Sequence, residues 1–403
     1  MNSQIQETIA RLSSGPLTEE GLQQHIVPLF SRTLASDRIY LANHSLGRPL
    51  DRMAEDVQEG IALWENKLGD AWDAWLAEQE AFRGRIANLI GAPRADCIVP
   101  KTSAGQGLRT VLNALPGKPN VLSTRGEFDS IDLILKQYAA LNRIEMKWIE
   151  PDEEGHFTVA RMIEHLKPGI DLVVISQVMF MTGQIVHDLK LLAETCHAAG
   201  ARLLVDVYHA VGVIPVDLAG MQADFALGGS YKYLRGGPGA CYLYISPDVL
   251  ASGLRPLDTG WFARENTFGY ERPDPPVLRA GGDAFLESTP PVLTYYQARS
   301  GQQFMLAMGV DRLRSYSLQQ LTKLKNYLRD AGIEAIGGDA GHGAFLTVRL
   351  DNASAISAKL AGHGVITDAR GQWLRLCPDC LTRDEELQTA ASVVGEVLEQ
   401  ART

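Results

Sequence analysis

The chain has 403 residues, with 48 acidic against 38 basic side chains and a formal charge of −10. That balance argues against a nucleic-acid binder, which needs a basic face, and no apolar run approaches the ~20 residues of a membrane-spanning helix. Five widely spread cysteines fit a reducing, cytoplasmic setting better than a disulfide framework, and the opening MNSQIQETIARLSSG lacks the basic start and apolar core of a signal peptide.

Residues 54–90 carry helical periodicity and the tryptophans Trp64, Trp72 and Trp75, with Gly91 and Pro93 as the stop. From there strands and helices alternate. DCIVPK, NVLST, RIEMKWIE, DLVVISQV, ARLLVDV, ADFALGG and GACYLYI read as strands, and SAGQGLRTVLNAL, SIDLILKQYAALN, TVARMIEHL and DLKLLAETCHAAG as helices. DLVVISQV is continuously apolar, as in a strand covered on both faces. The alternation predicts an α/β fold with a mostly parallel sheet, over about residues 70–300. A long connection at 252–295, rich in Pro and Gly, has the length of a functional loop. A helical stretch at about 301–331 follows. Then AFLTVRL and QWLRLCP bracket a helix, and a terminal helix closes a smaller α+β unit.

Open parallel sheets bind ligands at the carboxyl ends of their strands, and three features sit at such ends. In KTSAGQGLR, Thr102, Ser103 and Ala104 fall where a strand turns into a helix. Free backbone N–H groups there make a phosphate site, although a Ser/Thr N-cap is the plainer use of such residues. In LLVDVYHAVG, Asp206 ends an apolar strand and His209 comes three residues later. The carboxylate either caps the next turn or meets a cation such as a protonated pyridine nitrogen. In GGSYKYLRGGPGA, Lys232 follows Tyr231 and precedes a cluster of glycines. It is either a solvated surface charge or a desolvated nucleophile for an aldehyde. Phe128, in RGEFDSID, follows another strand and offers a ring to stack on. Phosphate cradle, carboxylate and lysine, in this order, match pyridoxal 5′-phosphate. No metal site is expected. His187 and His197 lack an i, i+4 partner, and the single C-x-x-C of Cys377 and Cys380 reads as buried thiols at a strand end.

With these residues in place the chain resembles the fold type I, class V branch of pyridoxal-phosphate enzymes, and within it the kynureninases. The likeness runs from about residue 38 to the C-terminus, on YLANHSLGRP, LIGA, RGEFDSID, MTGQIVHDLKLLAETCHAAGARLLVDVYHAVG, ADFALGGSYKYLRGGPG, TGWF, STPP and WLRLCP. Its most specific part is Met181 to Gly239. The resemblance implies a seven-stranded type of large cofactor-binding domain over 70–300 and a small C-terminal domain over 301–403. It also implies an N-terminal segment, 1–69, packed on the small domain and on a dimer partner. By the same resemblance Lys232 would bond to the cofactor, Asp206 would pair with the pyridinium nitrogen, and His209 would lie beside the ring oxygen. Tyr231 would touch the phosphate and serve in proton transfer. Thr102 and Ser103, with Ala104 beside them, would bind phosphate, and Phe128 with Asp132 would cover the ring. Trp261 and Thr289 would reach the phosphate from the neighbouring subunit of a homodimer, and Arg375 would clamp the substrate's α-carboxylate. Two positions depart from the family pattern: His44 stands where an asparagine is usual, and Arg264 near the place of a histidine. Both belong to the substrate side of the family's site.

The activity implied is hydrolysis of a Cβ–Cγ bond in L-kynurenine or a related γ-keto amino acid, giving alanine and an aryl acid. The competing expectations are a class V aminotransferase, lyase or epimerase on another amino acid, or a non-enzymatic cofactor-binding protein. Trp64, Trp72 and Trp75 either help enclose an aromatic side chain or pack between helices. Desulfuration needs a mobile cysteine, which the placement of Cys377 and Cys380 at a predicted strand disfavours.

Overall fold

Seven strands form the central sheet of the computed structural model: β1 (Ile98–Lys101), β2 (Asn120–Thr124), β3 (Glu145–Ile149), β4 (Leu172–Ser176), β5 (Arg202–Asp206), β6 (Phe225–Gly229) and β7 (Cys241–Ile245). The structure describes residues 3–12 and 14–402, so Met1, Asn2 and Ser13 of the opening stretch lie outside the described residues, as does Thr403. The strands lie side by side as β1-β7-β6-β5-β4-β2-β3. All run the same way except β7, which is antiparallel to β1 and β6. β4, β6 and β7 are buried at every position, as strands covered on both faces must be. The two-residue period sends Val173, Ile175, Leu203 and Val205 into one apolar layer and Leu172, Val174 and Leu204 into the other. At one edge of the sheet, Trp148 of β3 lies beneath the Arg125 guanidinium, 4.6 Å from its ring centroid.

The helical stretch at 54–90 is two helices, α1 (Arg52–Lys67) and α2 (Trp72–Leu89). The chain turns between them at Leu68, whose φ of 48° no helix interior allows. Helices α3 (Ala104–Ala114) and α4 (Asp129–Ala140) follow β1 and β2. The later helical region starts earlier than its periodicity indicates and is also divided, into α5 (Val292–Met308) and α6 (Val310–Asp330). Gly309 separates them at φ 82°, where a side chain would be strained. Strands β8 (Leu346–Arg349), β9 (Asp368–Arg370) and β10 (Trp373–Leu376) form an antiparallel sheet in the order β9-β10-β8. Its core joins Leu346, Leu374 and Leu376 to Leu321, Leu324 and Leu328 of α6 and to Val394 and Val397 of the terminal helix.

The segment before α1 serves both cores. Leu22, Ile26 and Phe30 enter the core beneath the large sheet, whereas Leu41 enters that of the small sheet. Ile39–Tyr40 pairs in parallel with Val365–Ile366. Just beyond, Gly47 donates its N–H to the Tyr231 carbonyl at 2.9 Å. A Cβ on Gly47 would sit 1.9 Å from the Lys232 carbonyl oxygen, so only glycine lets these backbones meet. Gly47→Ala should therefore lower unfolding stability by about 1–3 kcal/mol, the usual cost of overpacking. Chemical unfolding of the two proteins checks this, and coincident transitions would show that the 41–47 segment steps back without penalty.

Candidate active site

A cavity of about 400 Å³ opens at the carboxyl edge of the large sheet. Strand direction accounts for its lining: Thr102 and Ser103 follow β1, Phe128 follows β2, Ser176 ends β4, Asp206 ends β5, and Tyr231 with Lys232 follow β6. His209 lines it three residues after Asp206, and the buried Cys241 enters from the start of the reversed strand β7. One parallel arrangement thus gathers residues spread over more than a hundred positions.

Lys232 is only 5 % exposed. Its Nζ lies 2.6 Å from His209 Nε2 and 5.2 and 5.6 Å from the ring centroids of Phe128 and Tyr231. Burial lowers its affinity for a proton, the positive Arg375 and Arg370 lower it further, and Asp206 opposes them. Burial, with Lys232 next, also holds His209 well below the ordinary histidine range. The imidazole is therefore neutral and shares a hydrogen with the amine. Its Nδ1 is buried and has no partner. Asp206 Oδ1 accepts the Tyr208 N–H at 2.7 Å. Burial raises its pKa, and only that backbone donor and Lys232 pull it back. Burial also pushes the Tyr231 phenol up to about 12, so its hydroxyl keeps its proton at neutral pH.

At the other end of the cavity Ser103 is the N-cap of α3, its Oγ accepting the Gln106 N–H at 3.1 Å. The cap and the phosphate-site readings are thus compatible: one hydroxyl satisfies one helical donor, and the first turn of α3 still faces the cavity through Ala104 and Gly105. The Thr102 N–H and hydroxyl are both bonded to Gln106 Oε1. Gln106 in turn donates to Glu287, which also pairs with the buried Lys101. Arg109, absent from the sequence reading, lines the same end. Its signal was a basic residue within two turns of the cap.

Arg375 and His44 sit on the small-sheet side and are buried. Arg375 Nη1 donates to the carbonyl of Phe180, a cavity residue, and Nη2 pairs with Asp368 at 2.8 Å. His44 stacks on Phe345 at 4.9 Å, and burial, then Arg375 and Lys232, hold it well below the ordinary range. Neither Arg375 nor His44 lines the cavity itself, and four more expected residues do not reach it. Asp132 pairs with Lys136 one turn along α4, and it is Ile134, two residues on, with the exposed Leu133 at the rim, that borders the cavity. Arg264 donates to the carbonyls of Glu271 and Thr267 and braces its own loop. Trp261 donates to the Thr267 carbonyl and packs against Phe262 and Phe268. Thr289 is exposed. Trp64 and Trp72 each pack edge-on to Trp75, and none of the three lines the cavity. Among the described residues no cluster of ligating side chains could hold a metal ion, and no helix is long and apolar enough to cross a membrane.

The family model described as aminotransferase class-V matches residues 49–367. The chain belongs to the class V aminotransferase family. Pyridoxal 5′-phosphate, the cofactor expected from the sequence, is the cofactor of this family. Among its relatives, an uncharacterized aminotransferase YcbU of Bacillus subtilis is 26 % identical over 355 residues, covering 87 % of this chain and 91 % of that one. A kynureninase of Pseudomonas fluorescens is 26 % identical over 406 residues and covers 94 % of each. A kynureninase of Burkholderia pseudomallei is 30 % identical over 302 residues, covering 70 % of this chain and 68 % of that one. In fold, a cysteine desulfurase from Thermococcus onnurineus superposes with a TM-score of 0.79 at 18 % identity, covering 91 % and 96 % of the two chains. The cysteine desulfurase CsdA of Escherichia coli does so with a TM-score of 0.80 at 17 % identity, covering 96 % and 100 %.

The cavity of this class V chain fits the cofactor. It offers a buried carboxylate short of a cationic partner, an unpartnered imidazole nitrogen, a desolvated amine, and a helix N-terminus with an arginine. A further buried acid stands behind it. Glu127 accepts the hydroxyls of Thr124 at 2.7 Å and Ser176 at 2.6 Å. The sequence marked it only by its place between a strand end and Phe128. Burial pushes its carboxyl from 4.5 up to about 7 against the pull of those hydroxyls, and Asp206 adds to the rise. Between these values the folded chain holds a proton that the unfolded chain releases, so this group's contribution to stability falls as pH rises through that window. Glu127→Gln, always neutral, should gain on the wild type by up to about 3 kcal/mol between pH ~5 and pH ~8. Chemical unfolding across that range measures it, and parallel pH profiles would remove Glu127 as the cause.

Proposed function

We propose that this chain is a pyridoxal-phosphate-dependent hydrolase of the kynureninase type, cleaving the Cβ–Cγ bond of L-kynurenine or a close γ-keto amino acid to give alanine and an aryl acid. The observation that carries the reading is the convergence of Lys232, Asp206, His209 and Tyr231 on one cavity, with Arg375 beside it on the small-sheet side, bonded to the cavity residue Phe180, and with kynureninases aligning over nearly the whole chain. When bound, the cofactor supplies an electron sink for bonds broken at the substrate's α- and β-carbons. Lys232 Nζ anchors it and moves the proton at the substrate's α-carbon. Asp206 would meet the ring nitrogen, His209 the ring oxygen, and Phe128 would cover the ring. Thr102, Ser103, Ala104 and Arg109 would hold the phosphate. The Tyr231 hydroxyl, protonated at neutral pH, donates at the breaking Cβ–Cγ bond. In the net reaction the oxygen of water ends on the aryl acid, and the freed β-carbon gains a proton as the methyl group of alanine. Arg375 holds the α-carboxylate through its remaining donors.

The thiols weigh against desulfuration. Cys377 and Cys380 are buried, and burial pushes them to about 12 and about 11. Cys241 reaches the cavity, but it is fixed on β7 against the Tyr208 hydroxyl and pushed to about 11. None is a mobile thiolate. Five free, buried cysteines also support a cytoplasmic setting. The aminotransferase relative supports the second reading, transamination of another amino acid.

The deciding experiment mixes loaded enzyme with L-kynurenine and follows anthranilate fluorescence and alanine, with borohydride-reduced cofactor mapped by peptide mass. Both products are expected, and the label should fall on Lys232. Transamination with a keto acid in place of anthranilate would put the aminotransferase reading first, and a label on another lysine would displace Lys232.

We also propose a homodimer in which the 252–295 loop meets the second copy. Support comes from its exposed apolar side chains, Leu257 at 77 % and Tyr270 at 66 %, which a second copy would cover. This arrangement would bring Trp261 and Thr289 to the partner's phosphate end. Sedimentation at assay concentrations should give twice the chain mass, and an active monomer would end the proposal.

A further inference from the structure

Two guanidiniums converge on one carboxylate beside the cavity. Strands β9 and β10 pair in antiparallel register, Asp368 opposite Arg375. Asp368 Oδ1 receives Arg375 Nη2 at 2.8 Å and Arg370 Nη1 at 3.0 Å, and Oδ2 accepts the Ser45 hydroxyl. His44 Nε2 stands 3.9 Å from Oδ2, but the imidazole is neutral and adds no charge. Both arginines are near enough to depress the proton affinity of Lys232 and of Tyr231. The cluster therefore faces the reacting centre with one net positive charge, two cations less one anion. Arg375 Nε remains buried without a partner. The Arg370 side chain is 43 % exposed, so it stands at the solvent side of the cluster.

We infer that Asp368 sets the charge class of the substrate: by holding Arg370 and part of Arg375, it leaves a site for an amino acid with one acidic group and repels a dicarboxylic one. The inference rests on the reading that Arg375 takes the α-carboxylate, and it deepens that reading by naming the side-chain class, which is uncharged. Without Asp368 the two guanidiniums would match two carboxylates. With it, a second carboxylate would meet a fixed like charge, a standard way of rejecting a wrong partner. Arg264, whose charge faces its own loop carbonyls, takes no part.

The test uses loaded enzyme and amino acids that lack an α-hydrogen, so that binding is read without turnover. Isovaline, with an uncharged side chain, and α-methylaspartate, with an acidic one, are titrated against the cofactor's visible absorption. Wild type should bind isovaline at least about tenfold more tightly. Asp368→Asn, which keeps the shape and removes the charge, should reduce that preference at least about tenfold or invert it. Asp368→Glu, which keeps the charge, should preserve it. Equal wild-type affinities, or an Asp368→Asn protein that folds and keeps the wild-type ratio, would overturn the inference. If the asparagine variant does not fold, the wild-type ratio and the glutamate variant still decide. A different result marks failure of the underlying reading: tight binding of either compound that survives Arg375→Gln would remove Arg375 as the carboxylate's partner, whatever the ratio.

Discussion

The carboxylate of Asp379 ties together three stretches that are distant in sequence. Arg48, from the N-terminal segment, and Arg235, three residues after Lys232, both form ion pairs with it. The Gln320 side chain of α6 donates to its carbonyl. Burial opposes the ionisation of Asp379, but the two guanidiniums outweigh it and hold the pKa at about 2. The Arg235 guanidinium also lies 5.2 Å from the Phe30 ring centroid and 5.6 Å from that of Phe304. A buried ionic group of this kind contributes little net stability when complete, yet losing one member strands a charge at roughly 3–5 kcal/mol. The turn that carries Lys232 is thus held from both sides, and its buried amine inherits its position from a contact that never touches the cavity.

That fixed position makes the electrostatics of the site possible. A flexible lysine would turn its ammonium to water, as most do. Here the backbone of Lys232 is pinned against Gly47, and its side chain is enclosed by Phe128, Tyr208 and Tyr231. Burial disfavours the charged form of the lysine and, equally, of Asp206 and Glu127. Charges in the cavity are therefore sparse and mutually dependent, and a ligand that brings its own changes each of them.

The residues at strand exits were legible in the sequence because a parallel sheet brings all such exits to one edge. Thr102, Ser103, Phe128, Asp206, His209 and Lys232 needed only the alternation of strands and helices to be placed together. Where position depends on rotation about a helix, the reading was weaker. Each step turns a side chain by about 100°, which sets Asp132, paired with Lys136, apart from Ile134, which lines the cavity two steps on. The loop at 252–295 has no period at all, so Arg264, Trp261 and Thr289 had no geometric constraint. Glu127 and Asp368 went unnoticed for another reason. A lone acidic residue has no pattern, and only the burial of the first and the facing arginines of the second set them apart.

The Trp148 edge of the large sheet has a consequence for assembly. An outermost strand displays unpaired N–H and C=O groups that can template a strand from another molecule. On β3, Arg125 lies over Trp148, Lys136 approaches it at 5.9 Å, and Lys118 reaches Glu145. This fringe of long, strongly hydrated side chains would have to be stripped before a foreign strand could align. That fringe guards this border of the sheet, and copies of the chain that meet there would do so through side chains, loops and helices rather than by continuing the ladder.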